Sequence, residues 1–206
     1  MTHAETLPLA APDLTAVLFG LSGCLVDFGA RARQHSIALP EHADATPGAL
    51  DSLHSLQRQQ IPCAWLDELP PALTQPLSAS LPGWIKFAQH SATNYPWPAP
   101  NACWQALMAL NVSRLDGCVL VSGEPRLLQS GLNAGLWTIG LASCGSLCGL
   151  APGEWQALSQ KEREHLRGKA TMQLFGIGVH SVIDHLGELD TCLADIRLRR
   201  LKGEKP

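Results

Sequence analysis

The residues of this chain with chemical potential sit where apolar runs end. Leu14 to Phe19 is continuously apolar and leads into Gly20-Leu21-Ser22-Gly23-Cys24. A glycine-bearing turn at a strand end presents successive backbone N–H groups, which can cradle a phosphate or sulfate without any particular side chain. Ser22 and Cys24 add a hydroxyl and a thiol, and a thiol beside a base becomes a thiolate nucleophile. No histidine adjoins these positions in sequence, although His35 and His54 lie on segments able to approach them. A second run, Cys118 to Val121, ends in Ser122-Gly123-Glu124. Glu124 is a lone carboxylate there, and one monodentate oxygen does not hold Mg²⁺ against bulk water. Cys144 and Cys148 form a C-x3-C pair in a Gly/Ser-rich turn, without the second ligand pair that a zinc site needs.

The elements that must position these groups alternate along the chain. The run at Leu14–Phe19 has the length and continuity of a strand buried on both faces. Residues 49–60 carry Leu50, Leu53 and Leu56 at helical spacing after Pro47. Further strands are expected at 61–66, with Pro62 at its first residue or on an edge, and at 118–121, 137–141 and 179–183. Helices are expected at 102–110, with Trp104, Leu107, Met108 and Leu110 available to the core, at 125–134 ending at Gly135, over 154–175, and at the C-terminus. The stretch from Pro70 to Pro100, rich in proline, reads as one short helix near 82–91 between loops, with Tyr95-Pro-Trp-Pro-Ala-Pro100 as a loop support. Strand–helix alternation implies an α/β fold: a Rossmann-like parallel sheet with helices on both faces.

Composition narrows the partners. The chain has 206 residues, 16% of them charged, and a formal net charge of −3. An average globular domain has about 25% charged residues, so nothing supports nucleic-acid binding through bulk electrostatics or a membrane surface as partner. The N-terminal residues lack a basic segment followed by an apolar one, and no run approaches the roughly 18 apolar residues of a membrane span. A cytoplasmic location follows, with the seven cysteines as reduced, buried thiols. The basic end Arg197-x-Arg-Arg-x-Lys202, with Lys205, reads as a solvated helix terminus that suits the helix dipole.

The turn after the first strand carries a family resemblance. Ala16-Val-Leu-Phe-Gly-Leu-Ser-Gly-Cys-Leu-Val-Asp-Phe-Gly29 resembles the first motif of the haloacid dehalogenase superfamily, in the form used by phosphonoacetaldehyde hydrolases (phosphonatases). That motif reads apolar-apolar-Phe-Asp-x-Ala-Gly-Thr-x-x-Asp-Phe-Gly. Gly131-Leu-Asn-Ala-Gly-Leu-Trp-Thr-Ile-Gly140, Gly149-Leu150, Glu154, Leu158 and Gly178-Val-His-Ser-Val-Ile-Asp184 with Glu188-Leu189 resemble the phosphonatase C-terminal half, and Trp97-Pro-Ala-Pro100 its Arg-Pro-x-Pro segment.

The resemblance implies a nucleophilic aspartate where this chain has Gly20, a small residue at Ser22, and a threonine where it has Cys24. It implies magnesium-binding acids at Gly123 and Leu127, a threonine at Glu124, a second-motif Ser/Thr where the chain reads Trp65-Leu-Asp-Glu68, and a cation at Trp97. It also implies a helical cap, inserted after the first motif, with a Schiff-base lysine. Here only a short stretch separates Phe28 from Pro47, and the first lysine is Lys86.

The reading is therefore a single core unit over 1–206. Residues 1–13 are an N-terminal extension, 29–47 a loop in place of the cap, and 70–100 a proline-rich connection. Gly20, Ser22, Gly23, Cys24, Trp97, Ser122, Gly123 and Glu124 should mark a vestigial pocket at the carboxyl ends of adjacent strands. No residue is given a catalytic or metal-binding role, and His180 and Asp184 are assigned to packing and turn formation. The expected function is a phosphonatase relative without phosphohydrolase activity or a magnesium cofactor, acting through a protein partner (a second copy included) or a small ligand. The alternative is a weak or metal-independent hydrolase built from other pocket residues. The binding reading also expects an exposed apolar patch around Trp84, Tyr95 and Trp97.

Overall fold

A computed structural model describes residues 13–33, 43–88 and 95–206. Six parallel strands form one sheet in the order β3-β2-β1-β4-β5-β6: β1 (Ala16–Gly20), β2 (Cys63–Leu66), β3 (Lys86–Phe87), β4 (Cys118–Ser122), β5 (Trp137–Leu141) and β6 (Ser181–Ile183). The helices are α1 (Ala49–Arg58), α2 (Pro71–Leu77), α3 (Asn101–Ala109), α4 (Pro125–Asn133), α5 (Pro152–Ala157), α6 (Gln160–Gly176) and α7 (Leu189–Leu201).

The strand period of two divides β1 between two cores. Val17 and Phe19 pack with Leu53 and Leu56 of α1 and Leu193 and Ile196 of α7, while Ala16 and Leu18 pack with Ala102, Cys103, Ala106 and Leu107 of α3 and with Leu127 of α4. Each fully buried Leu or Phe is worth about 1.5–3 kcal/mol, so the sheet centre is the anchor of the fold. The α/β reading holds, with helices on both faces.

Several local expectations are corrected. Pro62 precedes β2, whose strand lies inside the sheet between β3 and β1. Helix α3 turns its small residues inward, and close packing against the sheet leaves Trp104 43% and Met108 66% exposed. The expected 82–91 helix is absent from its described part. Pro82 instead opens a turn into edge strand β3, where Phe87 stacks on Trp65 at 4.2 Å between ring centroids, and residues 89–94 lie outside the described residues. Proline at the first turn starts α2 instead.

The expected 154–175 helix is broken at Leu158, where the backbone is extended. Ser159 then opens α6 through a capping box: its hydroxyl accepts from the Glu162 N–H, and the Glu162 carboxylate accepts from the Ser159 N–H at 2.8 Å. The basic tail is tied to the body. Arg197 donates to Gln59, Arg199 lies over the Trp137 ring at 4.7 Å, and buried Arg200 forks onto Asp116 and donates to the Asp13 carbonyl. The expected aromatic surface patch is not formed either, because Trp97 is buried and Trp84 packs on the core, leaving Tyr95 exposed. The N-terminal extension falls almost wholly outside the described residues, as does His35.

Candidate functional site

The turn after β1 lies at the carboxyl ends of β1, β2 and β4, where open parallel sheets bind their ligands. Its backbone donors are taken up internally. The Leu21 N–H donates to the Leu66 carbonyl at 3.0 Å, that of Gly23 to the carbonyls of Val26 and Asp27, and that of Cys24 to the Leu21 carbonyl. The Ser22 N–H donates to Asp67 Oδ2 at 3.0 Å. The expectation that these N–H groups stand free for a phosphate is thereby corrected, since the turn winds back on itself and on β2.

Asp67 follows β2 and is the centre of the arrangement. Its carboxylate is fully buried and accepts from three donors: the N–H groups of Ser22 and Leu69, and Arg33 Nη2 at 2.8 Å. Burial pushes the Asp67 carboxyl above its ordinary range, while Arg33 and the surrounding amides pull it partway back. Arg33 reaches in from the segment after β1, with its guanidinium over the Trp97 ring at 5.3 Å and its Nε 3.9 Å from Glu124. A second carboxylate, Glu68, accepts from the Trp97 N–H at 2.6 Å and pairs with Arg126, which also donates to the Trp97 carbonyl. Below them Asp27, buried with positive φ, accepts from the Ser22 hydroxyl at 2.6 Å and from the N–H groups of Arg31 and Ala32, fixing the turn that aims Arg33.

The other expected pocket positions are close together but filled. A Cβ on Gly20 would lie 2.7 Å from Ser122 Oγ and 3.4 Å from buried Leu127. At Gly123 it would lie 2.3 Å from the Gly23 carbonyl oxygen and 2.4 Å from Gly145 Cα, which is backbone on both sides. Glu124 caps α4 by accepting from the Arg126 N–H at 3.2 Å, and the Ser122 hydroxyl accepts from the Glu124 N–H. These positions supply one carboxylate, already bonded to a helix end and beside Arg33. No group of three or more His, Cys, Asp or Glu side chains able to hold a metal ion occurs among the described residues.

Two relatives and a wider set of neighbours bear on this geometry. No protein-family model matches the chain. A phosphonoacetaldehyde hydrolase of Klebsiella pneumoniae subsp. pneumoniae is 36% identical over 109 residues, which is 53% of this chain and 40% of that protein. Curated proteins of the same name from other bacteria are 27% to 29% identical over 77% to 82% of the chain. The chain is thus similar, over most of its length, to curated phosphonoacetaldehyde hydrolases. It spans between 40% and 62% of the length of these curated relatives. A solved structure 64% identical to it has a TM-score of 0.91 and is covered completely by 94% of this chain. A phosphonoacetaldehyde hydrolase like protein from Oleispira antarctica, 22% identical, shares the fold over the whole of both chains with a TM-score of 0.82.

The turn and the strand ends lie where the sequence pattern puts them, whereas Asp67, Arg33, Glu68 and Arg126 join the arrangement without belonging to any motif. The signal for two of them was visible, as carboxylates at 67 and 68 where the family resemblance implies a hydroxyl. Cys24 is placed unfavourably for thiolate chemistry. It is fully buried, and burial pushes its thiol well above the ordinary value. His54 is exposed on α1. Cys144 is likewise buried, its thiol pushed up to about 12, and Cys148 is the one cysteine only partly buried. Iodoacetamide at pH 8 is therefore expected to label Cys148 first in the native protein and the remaining thiols only after unfolding. Peptide mass mapping checks this, and early labelling of Cys24 would contradict it.

His180 and Asp184 flank β6 (Ser181–Ile183), and His180 fits the packing role: its Nδ1 accepts from the Thr138 N–H at 3.0 Å and its ring packs on Trp137. Asp184 instead pairs with Arg167 at 2.6 Å at the wall of a separate cavity.

Proposed function

We propose that this chain is a phosphonoacetaldehyde hydrolase relative that has lost phosphohydrolase activity and acts through binding. The observation that carries the reading is Asp67. A carboxylate from the protein occupies the converging donors of Ser22, Leu69 and Arg33, at the strand end where the resemblance implies the second-motif Ser/Thr. A second anion there would meet a buried negative charge in place of free N–H groups. The resemblance also puts the nucleophile at Gly20 and the metal acids at Gly123 and Leu127, and the space around all three is packed. A magnesium ion does not fit such a donor set, because hard divalent cations need several oxygen ligands.

The same reading takes the chain as one core unit with residues 29–47 in place of a cap. The described part of that stretch includes a 3₁₀ turn at Arg31–Arg33 and a bridge that ties Ala45 to Val26. It also takes the protein as cytoplasmic, with a small molecule or another protein as partner. No helix among the described residues is long and apolar enough to cross a membrane. Calorimetric titration with Mg²⁺ tests the proposal. No saturable heat is expected, and a saturable heat that disappears in Glu124→Gln would overturn it by showing a metal site rebuilt one residue along.

A further inference from the structure

One feature outside the turn after β1 is a cavity of about 530 Å³ beyond β5 and β6, between the Phe28 segment, the start of α1, and helices α5 and α6. None of the eight vestigial pocket positions lines it. Its size is that of a small-molecule site, for which roughly 300–1,000 Å³ is usual. It opens at the carboxyl end of the sheet, the end at which α/β folds hold ligands.

The walls carry both aromatic rings and charged groups. Phe28 and Trp155 form an edge-tilted pair with ring centroids 6.1 Å apart, held in place because Arg31 ties Glu154 at 2.8 Å next to Trp155. The same cavity is lined by Arg163 and Arg167, one turn apart on α6. Arg167 is neutralised by Asp184 at 2.6 Å. Arg163 is half-buried, and its guanidinium has no ion pair or hydrogen bond among the described residues. The other carboxylates of the lining, Asp44 and Glu164, are exposed, and Glu164 is engaged by Gln160 at 2.9 Å. His185 also lines the cavity: its Nδ1 accepts from the Gly187 N–H at 3.2 Å, which leaves Nε2 as the ring's donor in the neutral form.

The geometry points to a binding site for a small organic carboxylate with a flat apolar or aromatic body. The body lies against Phe28 and Trp155, and the carboxylate takes the fork of Arg163, the guanidinium with no counter-ion among the described residues. Arginine suits this role because its planar donors match both carboxylate oxygens. The site deepens the binding reading above by giving it a location and a ligand class. It needs no assay of turnover, so its failure leaves the loss of hydrolysis standing and is distinguishable from it.

The test is a titration of the full chain with phenylacetate and, separately, with the uncharged phenylacetamide, followed by calorimetry or ligand-detected NMR. Saturable phenylacetate binding is expected, weakened about tenfold or more in the amide by loss of the charge-assisted hydrogen bonds. Arg163→Met should produce the same loss for phenylacetate while leaving the unliganded unfolding midpoint unchanged. Absence of saturable phenylacetate binding, equal affinity for acid and amide, or full affinity in Arg163→Met would each overturn the assignment. The comparison of acid with amide stands even if the variant fails to fold.

Discussion

Asp67→Ser is expected to destabilise the protein by about 3 kcal/mol, the cost of leaving the partner of a buried ion pair uncompensated. The loss falls at the low end of that range because the Arg33 side chain keeps 20% exposure. What remains in the variant is an anion site with its donors intact: the N–H groups of Ser22 and Leu69, and a guanidinium steadied by the Trp97 face. Inorganic phosphate should then restore part of the stability, about 1 kcal/mol when present at roughly five times its Kd. The native protein should gain nothing from the same phosphate, since Asp67 already holds the donors. Chemical unfolding of both proteins with and without phosphate reads this out. A variant as stable as the native chain, or a native chain stabilised equally by phosphate, would mean that Asp67 does not fill an anion site.

Gly123→Asp, which restores the acid that the family resemblance implies, is expected to cost about 3 kcal/mol or more through overpacking. Its Cβ would collide with the Gly23 carbonyl and Gly145 Cα, and neither can move without displacing a turn. The contrast is Gly20→Ala, where the closest atom is the rotatable hydroxyl of Ser122. That substitution should cost clearly less. Unfolding midpoints of the two variants decide the order, and a harmless Gly123→Asp would contradict the account of a closed metal position.

The sheet was legible because buried parallel strands are written as short, continuous apolar runs: residues 137–141 match β5 to the residue. The turns that stop the elements were legible too, as with Gly135, whose positive φ ends the α4 connection. Errors arose where side-chain size misled. In α3 the large Trp104 and Met108 look like core, yet Ala102, Cys103 and Ala106 allow the closer approach and win the inner face. The break between α5 and α6 had a readable signal in Ser159-Gln-Lys-Glu162, a capping box inside an otherwise helical composition.

The filled site was harder to see for a different reason. Asp67 and Arg33 are 34 residues apart and Trp97 and Arg126 are 29 apart, so nothing local pairs them. A single sequence registers Gly20 where the resemblance implies a nucleophile, but not the Asp67 carboxylate that takes up the Ser22 N–H beside it. The cavity beside α6 is likewise assembled from five separate stretches of chain, and its composition is unremarkable until they are brought together.

The most direct test of the central claim is release of inorganic phosphate from phosphonoacetaldehyde by the intact protein at saturating Mg²⁺. The account predicts a rate no different from the buffer blank, unchanged by substitution at Glu124 or Cys24. Turnover above the blank that Glu124→Gln abolishes would contradict it, and would place a working hydrolase centre one residue away from the packed Gly123.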